Sequence, residues 1–371
     1  MLKQPSLVAA IPMRHVGPIK MGGPVLSETL QVPLATFETP LWPSTNRGAL
    51  LSRLAPAGIQ VVVVQEGMTR SVLVEGPSAA YLMEVVAGLK AERAALEAVV
   101  TSTSRFAILK DWHVQIVGRL LYLRFDMYTG DAAGHNMTTK AADALLQWIL
   151  GQYPDLVYVS ISANLCTDKK VSAVNGLLGR GKYVVAELMV SDKHCRQYLK
   201  TTPEQIVQLH IKKNLLGTAL AGGLRAANAH FANVLLALYL ATGQDAANIV
   251  EGSQGFVHAE LQGSDLYFSV TVPNVIVGTI GNGKEWPFVQ ENLAQLGCLE
   301  SGALGANARR LAAIVGATVL CAELSLLAAQ TTPGVLVASH CRLERKPLSQ
   351  TDTESVQKEP VNIDRRTHHA D

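Results

Sequence analysis

The chain has 371 residues, of which 48% are hydrophobic and 17% charged, and its formal net charge is +2. That balance excludes a disordered chain, and interspersed charges give no general case for a nucleic-acid or anionic-membrane surface. Five scattered cysteines (Cys166, Cys195, Cys298, Cys321, Cys341) include no C-x-x-C pair, so reduced thiols in a cytoplasmic protein are expected rather than disulfides or a metal site.

Residues 1–71 are rich in Pro and Gly, and Ile59–Gln65 is the clear strand among them. From Ser71 the pattern becomes regular. SVLVEG reads as a strand, residues 77–100 as one helix with Pro77 near its start, and FAILKDWHVQIVG and LLYLRFDMYTG as two strands. MTTKAADALLQWILGQYP reads as a helix closed by Pro154, and LVYVSIS as a strand. Strand, helix, strand, strand, helix, strand is the split βαβ or ferredoxin-like order, so residues 72–160 are expected to close as a small domain within a larger one.

Beyond Asn164 the chain turns helical and apolar. TTPEQIVQLHIKKNLLGTALAGG opens on a capping Thr with an early Pro and Glu. ANAHFANVLLALYLATG ends at Gly243, DLYFSVTVPNVIVGTI gives strands, and residues 307–330 form a long helix. Residues 226–244 and 311–322 are apolar enough to suggest a membrane. However, Asn228, His230 and Asn233 stud the first stretch, and the second falls short of the ~20 residues a span needs. Both read as buried core helices of a soluble protein, with no membrane partner. Past His340 the composition becomes a charged tail, residues 343–371, expected to be disordered.

Several short motifs have two readings each. Gly176-x-x-x-x-Gly181-Lys182 nearly matches a P-loop, but Tyr183 stands where the magnesium-binding hydroxyl belongs, so the glycines read as a turn into YVVAELMV. TGDAAGHNM leads into a helix whose N-terminus suits a phosphate, or is an ordinary loop–helix junction. TSRF sets a hydroxyl beside a guanidinium, as a ribose 2′-phosphate requires, or is a strand edge with a solvated Arg. STNRG and GMTR carry arginine forks for carboxylate or phosphate, although surface arginines are common. Asp168-Lys169-Lys170 is either a solvated turn or a lysine aimed at an oxygen that gains negative charge. Asp245 follows a very apolar helix, where a junction can hold a carboxylate. His340 lies where the ordered chain gives way, as a structural His or a gated proton donor.

In this order, STNRG, GMTR, TSRF, LYLRFDMYTGDAAGHNM, CTDKKVSAVN, GRGK, LKTT, KKNLLGTALAGG, NAHFANVLLALYLATGQDAAN, DLYFSVTVP, GTIGNG and the long helix up to SH resemble the catalytic region of hydroxymethylglutaryl-coenzyme A reductases. The resemblance spans residues 7 to 341 and is closer to the class I type that eukaryotes fuse to a membrane domain. It implies an α+β fold: a large, mainly helical domain (residues 1–71 and 161–342) around a long central helix, with the ferredoxin-like domain at 72–160 inserted and holding NADPH without G-x-G-x-x-G. It implies reduction of hydroxymethylglutaryl-CoA to mevalonate with two NADPH and no metal, in a homodimer with shared active sites, the dimers pairing into a homotetramer.

The family's roles carry over position by position. Lys169 would stabilise charge on the carbonyl oxygen, His340 would protonate the CoA thiolate, Glu38 would protonate the aldehyde, and Asp245 would bridge Glu38 and Lys169. Arg70, Ser162, Asp168 and Lys170 would bind the hydroxymethylglutaryl end. Lys213 and Asn233 would complete the substrate set, Lys213 from the CoA side. Ser44, Asn46, Arg47 and His230 would line CoA. Ser104 and Arg105 would hold the 2′-phosphate, and Asp131, Gly134, Asn136 and Met137 the pyrophosphate and ribose.

Four departures stand out: Thr39-Pro40 after Glu38 with Trp42 and Pro43 nearby, His135 at a usually apolar position, Asn282 at an expected Gly, and no phosphorylatable Ser after His340. The competing expectations are an NAD-dependent, mevalonate-oxidising reductase and a non-catalytic CoA-ester binder.

Overall fold

The computed structural model describes residues 9–344, without the side chains of Ser339, His340 and residues 342–344. The N-terminal part holds more regular structure than its composition suggests: strands β1 (Met13–Gly22) and β2 (Glu28–Ala35), helix α1 (Leu41–Leu54) and the start of β3 (Ile59–Glu75). Prolines hid the first two strands. Pro18 falls where the β1–β2 register shifts, and Pro33 sits in β2, the outermost strand, where a missing N–H costs no ladder bond.

IQVVVVQ and SVLVEG belong to one 17-residue strand, β3. Its first half pairs with β7 (Gly181–Val190) and its second half, from Met68, with β5 (Leu120–Tyr128). GMTR therefore lies where one strand passes from one sheet environment to another. The larger path runs β2-β1-β3-β7-β10-β9-β8, with β8 (Ala226–Ala227), β9 (Gly255–Gln262) and β10 (Asp265–Val275). Helices cover a broad sheet there, so the fold is a mixed α+β one. β6 (Val157–Ser160) and β4 (Ile108–Val117) complete a second set, β6-β3-β5-β4, in which every neighbour is antiparallel.

Two hydrophobic cores follow from these two sets. The smaller gathers Val72, Leu82, Leu96, Phe125, Leu145 and their neighbours between β3–β5 and helices α2 (Ala79–Ala91), α3 (Arg93–Thr103) and α4 (His135–Gln152). The single helix expected over 77–100 is two, broken at Glu92 (φ −96°, ψ 26°). The larger core surrounds the central helix, Ala306–Gln330. By length and composition this is the one helix among the described residues that could cross a membrane, and 94% of its apolar window is buried inside the fold. A helix apolar on every side needs such enclosure. Helix α1 lies directly against it, where a side chain at Gly48 would overlap the Cys321 carbonyl.

Candidate active site

The loop after β6 carries the charged motif. Three of the five non-glycine residues with left-handed backbone among the described residues lie in it: Asn164 (φ 58°), Thr167 (φ 49°) and Lys169 (φ 56°). Each such conformation costs about 1–3 kcal/mol and persists only where surroundings fix it. Here they do. The Cys166 amide donates to Ser71 Oγ at 3.0 Å, Asn175 Nδ2 donates to the Thr167 carbonyl at 3.0 Å, and the Lys169 amide donates to Glu251 Oε1 at 3.1 Å.

Behind the loop stands a buried arginine. Arg180 is 1% exposed; it donates to the Thr69 carbonyl at 2.6 Å and pairs with Asp168 Oδ1 at 2.7 Å and Glu251 Oε1 at 3.4 Å. Burial raises the Glu251 pKa against the pull of the Lys169 amide and Arg180. Sequence reasoning missed both residues. GRGK drew attention only to its glycines, and a lone acid in the apolar run IVEG was the available signal, because a buried carboxylate needs partners.

Lys169 Nζ lies 2.7 Å from Asp245 Oδ2, with side chains 39% and 44% exposed. The hydrogen bond to Asp245 raises the Lys169 pKa, against partial burial. Burial works to raise Asp245, but hydrogen bonds from Lys169 and the Ala247 amide outweigh it and hold the carboxyl below its ordinary value. The Asp245 loop is pinned by the Gln244 side chain, which exchanges hydrogen bonds of 2.9 and 3.0 Å with the Gly278 backbone. Only glycine fits at 278, since a side chain would overlap the backbone of Ala132 and Ala133. Asn282 lies outside the left-handed region, between Gly281 (φ 99°) and Gly283 (φ 83°), so it adds no backbone strain.

Arg70, Lys170 and His135 gather around Asp168, while Ser162 pairs with Ser160. Arg70 Nη1 is 3.9 Å from Asp168 Oδ2, Lys170 Nζ donates to the Asp168 carbonyl at 3.1 Å, and the Ser162 amide donates to Ser160 Oγ at 3.1 Å. His135 Nε2, without a hydrogen-bond partner, is 3.9 Å from Asp168 Oδ1. Burial and the cations Arg180 and Lys169 lower its pKa.

A second group forms elsewhere, on buried Glu323 of the central helix. Glu323 accepts from the Ala229 amide and, at 3.1 Å, from the His230 amide, with His230 Nε2 3.8 Å away. The Asn233 amide donates to the His230 carbonyl at 3.0 Å, and Lys213 Nζ donates to Asn214 Oδ1 at 3.2 Å. Ser44 Oγ meets Ser325 Oγ at 3.0 Å, Arg47 Nε donates to the same hydroxyl at 2.9 Å, and Asn46 Oδ1 accepts from the Gly17 amide at 2.6 Å. The fold thus divides the expected binding residues in two, and no described ion pair or hydrogen bond joins the groups.

Glu38 sits before α1, its amide donating to Thr36 Oγ1 at 3.0 Å. Among the described residues no ion pair joins it to Lys169 or Asp245. His340 falls on the last helix, Val335–Glu344, and its side chain lies outside the described part, as does the tail from residue 345.

On the cofactor side, Asp131 caps the central helix, accepting from the Gly305 and Ala308 amides at 3.1 and 2.9 Å. Helix α4 begins at Gly134 (φ 100°) with no side-chain cap, which leaves its first-turn amides open. Asn136 is exposed and Met137 leans on the smaller core. Ser104 ends α3, and exposed Arg105 lies 4.6 Å over the Phe106 ring. Among the described residues no group of three or more His, Cys, Asp or Glu could hold a metal ion.

A family model for hydroxymethylglutaryl-coenzyme A reductase matches residues 8–345. The curated protein of Aeropyrum pernix named 3-hydroxy-3-methylglutaryl-coenzyme A reductase is 40% identical over 346 residues, 93% of this chain and 82% of the relative. That of Pyrococcus abyssi is 44% identical over 326 residues, 87% and 79% of the two chains. The fold is similar to a solved class II reductase from Streptococcus pneumoniae, described as bound to NADPH in open conformations, with TM-score 0.69 and 19% identity over 88% of this chain and 86% of that one.

Proposed function

The chain belongs to the hydroxymethylglutaryl-coenzyme A reductase family, and from that membership we infer how its residues do the family's work. It is an oxidoreductase that reduces hydroxymethylglutaryl-CoA to mevalonate and CoA with NADPH. The observation that carries the assignment of roles is the Lys169–Asp245 pair, in which Lys169 is held on a strained loop and the pair stays open to solvent.

Lys169 is the cation for the carbonyl oxygen that gains negative charge as each hydride arrives. Asp245 keeps it protonated and aimed. Arg70, Ser162, Asp168 and Lys170 take the hydroxymethylglutaryl end. Glu38 supplies a proton to the aldehyde and His340 to the departing thiolate. NADPH supplies hydride, and the residues fit it: the uncapped start of α4 suits a pyrophosphate and exposed Arg105 a 2′-phosphate. Residues 72–160 act as an inserted ferredoxin-like cofactor domain within the larger one, 1–71 and 161–342.

The division of binding residues supports a site completed by two copies of the chain, one giving the Lys169 loop and the other the Lys213–His230 group. Ile211, Leu215, Leu216, Leu220 and Leu224 are exposed on one segment, as a face covered by a second copy would be. Pairing of such dimers into a homotetramer in the cytoplasm is part of the same reading.

The test follows cofactor absorbance with hydroxymethylglutaryl-CoA, NADPH and NADH in parallel. Two NADPH oxidised per CoA released, lost in Lys169→Met, is expected; reduction of NAD by mevalonate and CoA, without NADPH oxidation, would reverse the direction. Mixing Lys169→Met with Lys213→Ala chains should restore activity. Two inactive chains that stay inactive when mixed would sink the shared site.

A further inference from the structure

Lys213 lies in a wide-turn π-helical segment, His210–Gly217, a geometry that occurs mostly where a helix is adjusted locally. Two of its neighbours are almost wholly buried, His210 at 2% exposure and Asn214 at 1%. They form a chain with the lysine: Asn214 Nδ2 is 3.4 Å from His210 Nδ1, and Lys213 Nζ is 3.2 Å from Asn214 Oδ1.

The direction of this chain is fixed at one end. An ammonium only donates, so the amide must turn its oxygen to Lys213. The amide nitrogen then faces the imidazole, and since it too only donates, Nδ1 must accept. His210 is therefore neutral with its proton on Nε2. Burial agrees, pushing the His210 pKa down to about 4, so the arrangement holds across the neutral range. Burial also lowers the Lys213 pKa, with Glu323 acting against it.

We infer that His210 and Asn214 are positioning residues that hold the Lys213 ammonium in place for substrate through an imidazole–amide–ammonium hydrogen-bond chain. The inference rests on the reading of Lys213 as a substrate-binding lysine. It adds two residues that touch neither substrate nor cofactor and act only through Lys213.

The test combines kinetics with a measurement on the intact protein. Asn214→Leu and His210→Leu should raise KM for hydroxymethylglutaryl-CoA roughly tenfold, as loss of one charged hydrogen bond does, with kcat within about twofold. His210→Gln, whose side-chain oxygen still accepts, should restore KM to within about threefold of the parent. Histidine-selective 15N spectra of the unmodified protein, assigned by the signal lost in His210→Gln, should give the Nε2–H tautomer. An Nδ1–H tautomer, or His210→Leu and His210→Gln with equal KM, would overturn the proposal. A raised KM in Lys213→Ala beside an unmoved KM in Asn214→Leu would overturn the positioning alone. An unmoved KM in Lys213→Ala would remove the substrate reading and the proposal with it.

Discussion

Lys169 with Asp245, and Glu323 with its two amide donors, are both centres of charge, but they are built on opposite terms. The first pair is 39% and 44% exposed, its lysine on a strained loop; Glu323 is fully buried in the central helix. An exposed pair contributes little to stability yet stays free to meet a ligand. A buried carboxylate with amide donors fixes the backbone around it, and losing it leaves those donors unpaired. The strain at Lys169 is sustained by Arg180 and Glu251, so the loop borrows its rigidity from a buried ion pair behind it.

Glu323→Ala should show the largest effect. Unpaired amides at Ala229 and His230 should cost about 3–5 kcal/mol in urea unfolding. A loss below about 1 kcal/mol would erase the contrast between the centres. Lys169→Met comes next. It should lower kcat about 10²- to 10³-fold while the urea midpoint barely moves, and equal losses in both would make the loop structural. Gly48→Ala, which forces a methyl against the Cys321 carbonyl, should cost about 1–3 kcal/mol by calorimetry.

The smallest effect is the pH response of the exposed pair. Asp245 titrates below its ordinary value, so its contribution is present above the unfolded carboxyl value and lost as pH falls through the folded one. Lys169 titrates above its ordinary value, so its contribution is lost only as pH rises through that higher value. Solvent screening keeps each under about 1 kcal/mol. Glu251 and Glu323, with raised pKa values, act the other way, and stability falls as pH rises from the ordinary carboxyl value to the folded one. Comparing Asp245→Asn with the parent across the acid range isolates the pair. Superimposable profiles would show that the ion pair contributes nothing.

Much of this was legible because it is local. Alternation marked β4, β5 and β7, the capping Thr202 met Gln205 as a capping box, and the long apolar run became the central helix. The first two strands were not legible, because Pro18 and Pro33 are breakers by local rules and tolerable only at a register shift and an outer strand. The unity of β3 was hidden for a similar reason. EGMTR looks like a break until β7 and β5 supply partners on either side.

The sequence by itself determined the family, the order of strands in 72–160, and most residues that meet at Asp168, since short motifs carry their chemistry with them. Only the tertiary structure decided which charges are buried. Arg180 reaches Thr69 and Glu251 across long stretches of chain, and nothing local distinguishes it from a solvated arginine. It also decided that the Lys169 and Lys213 groups form apart within one chain. The central helix separates Asp131 at its start from Glu323 by about 26 Å of helical rise, a distance no motif encodes.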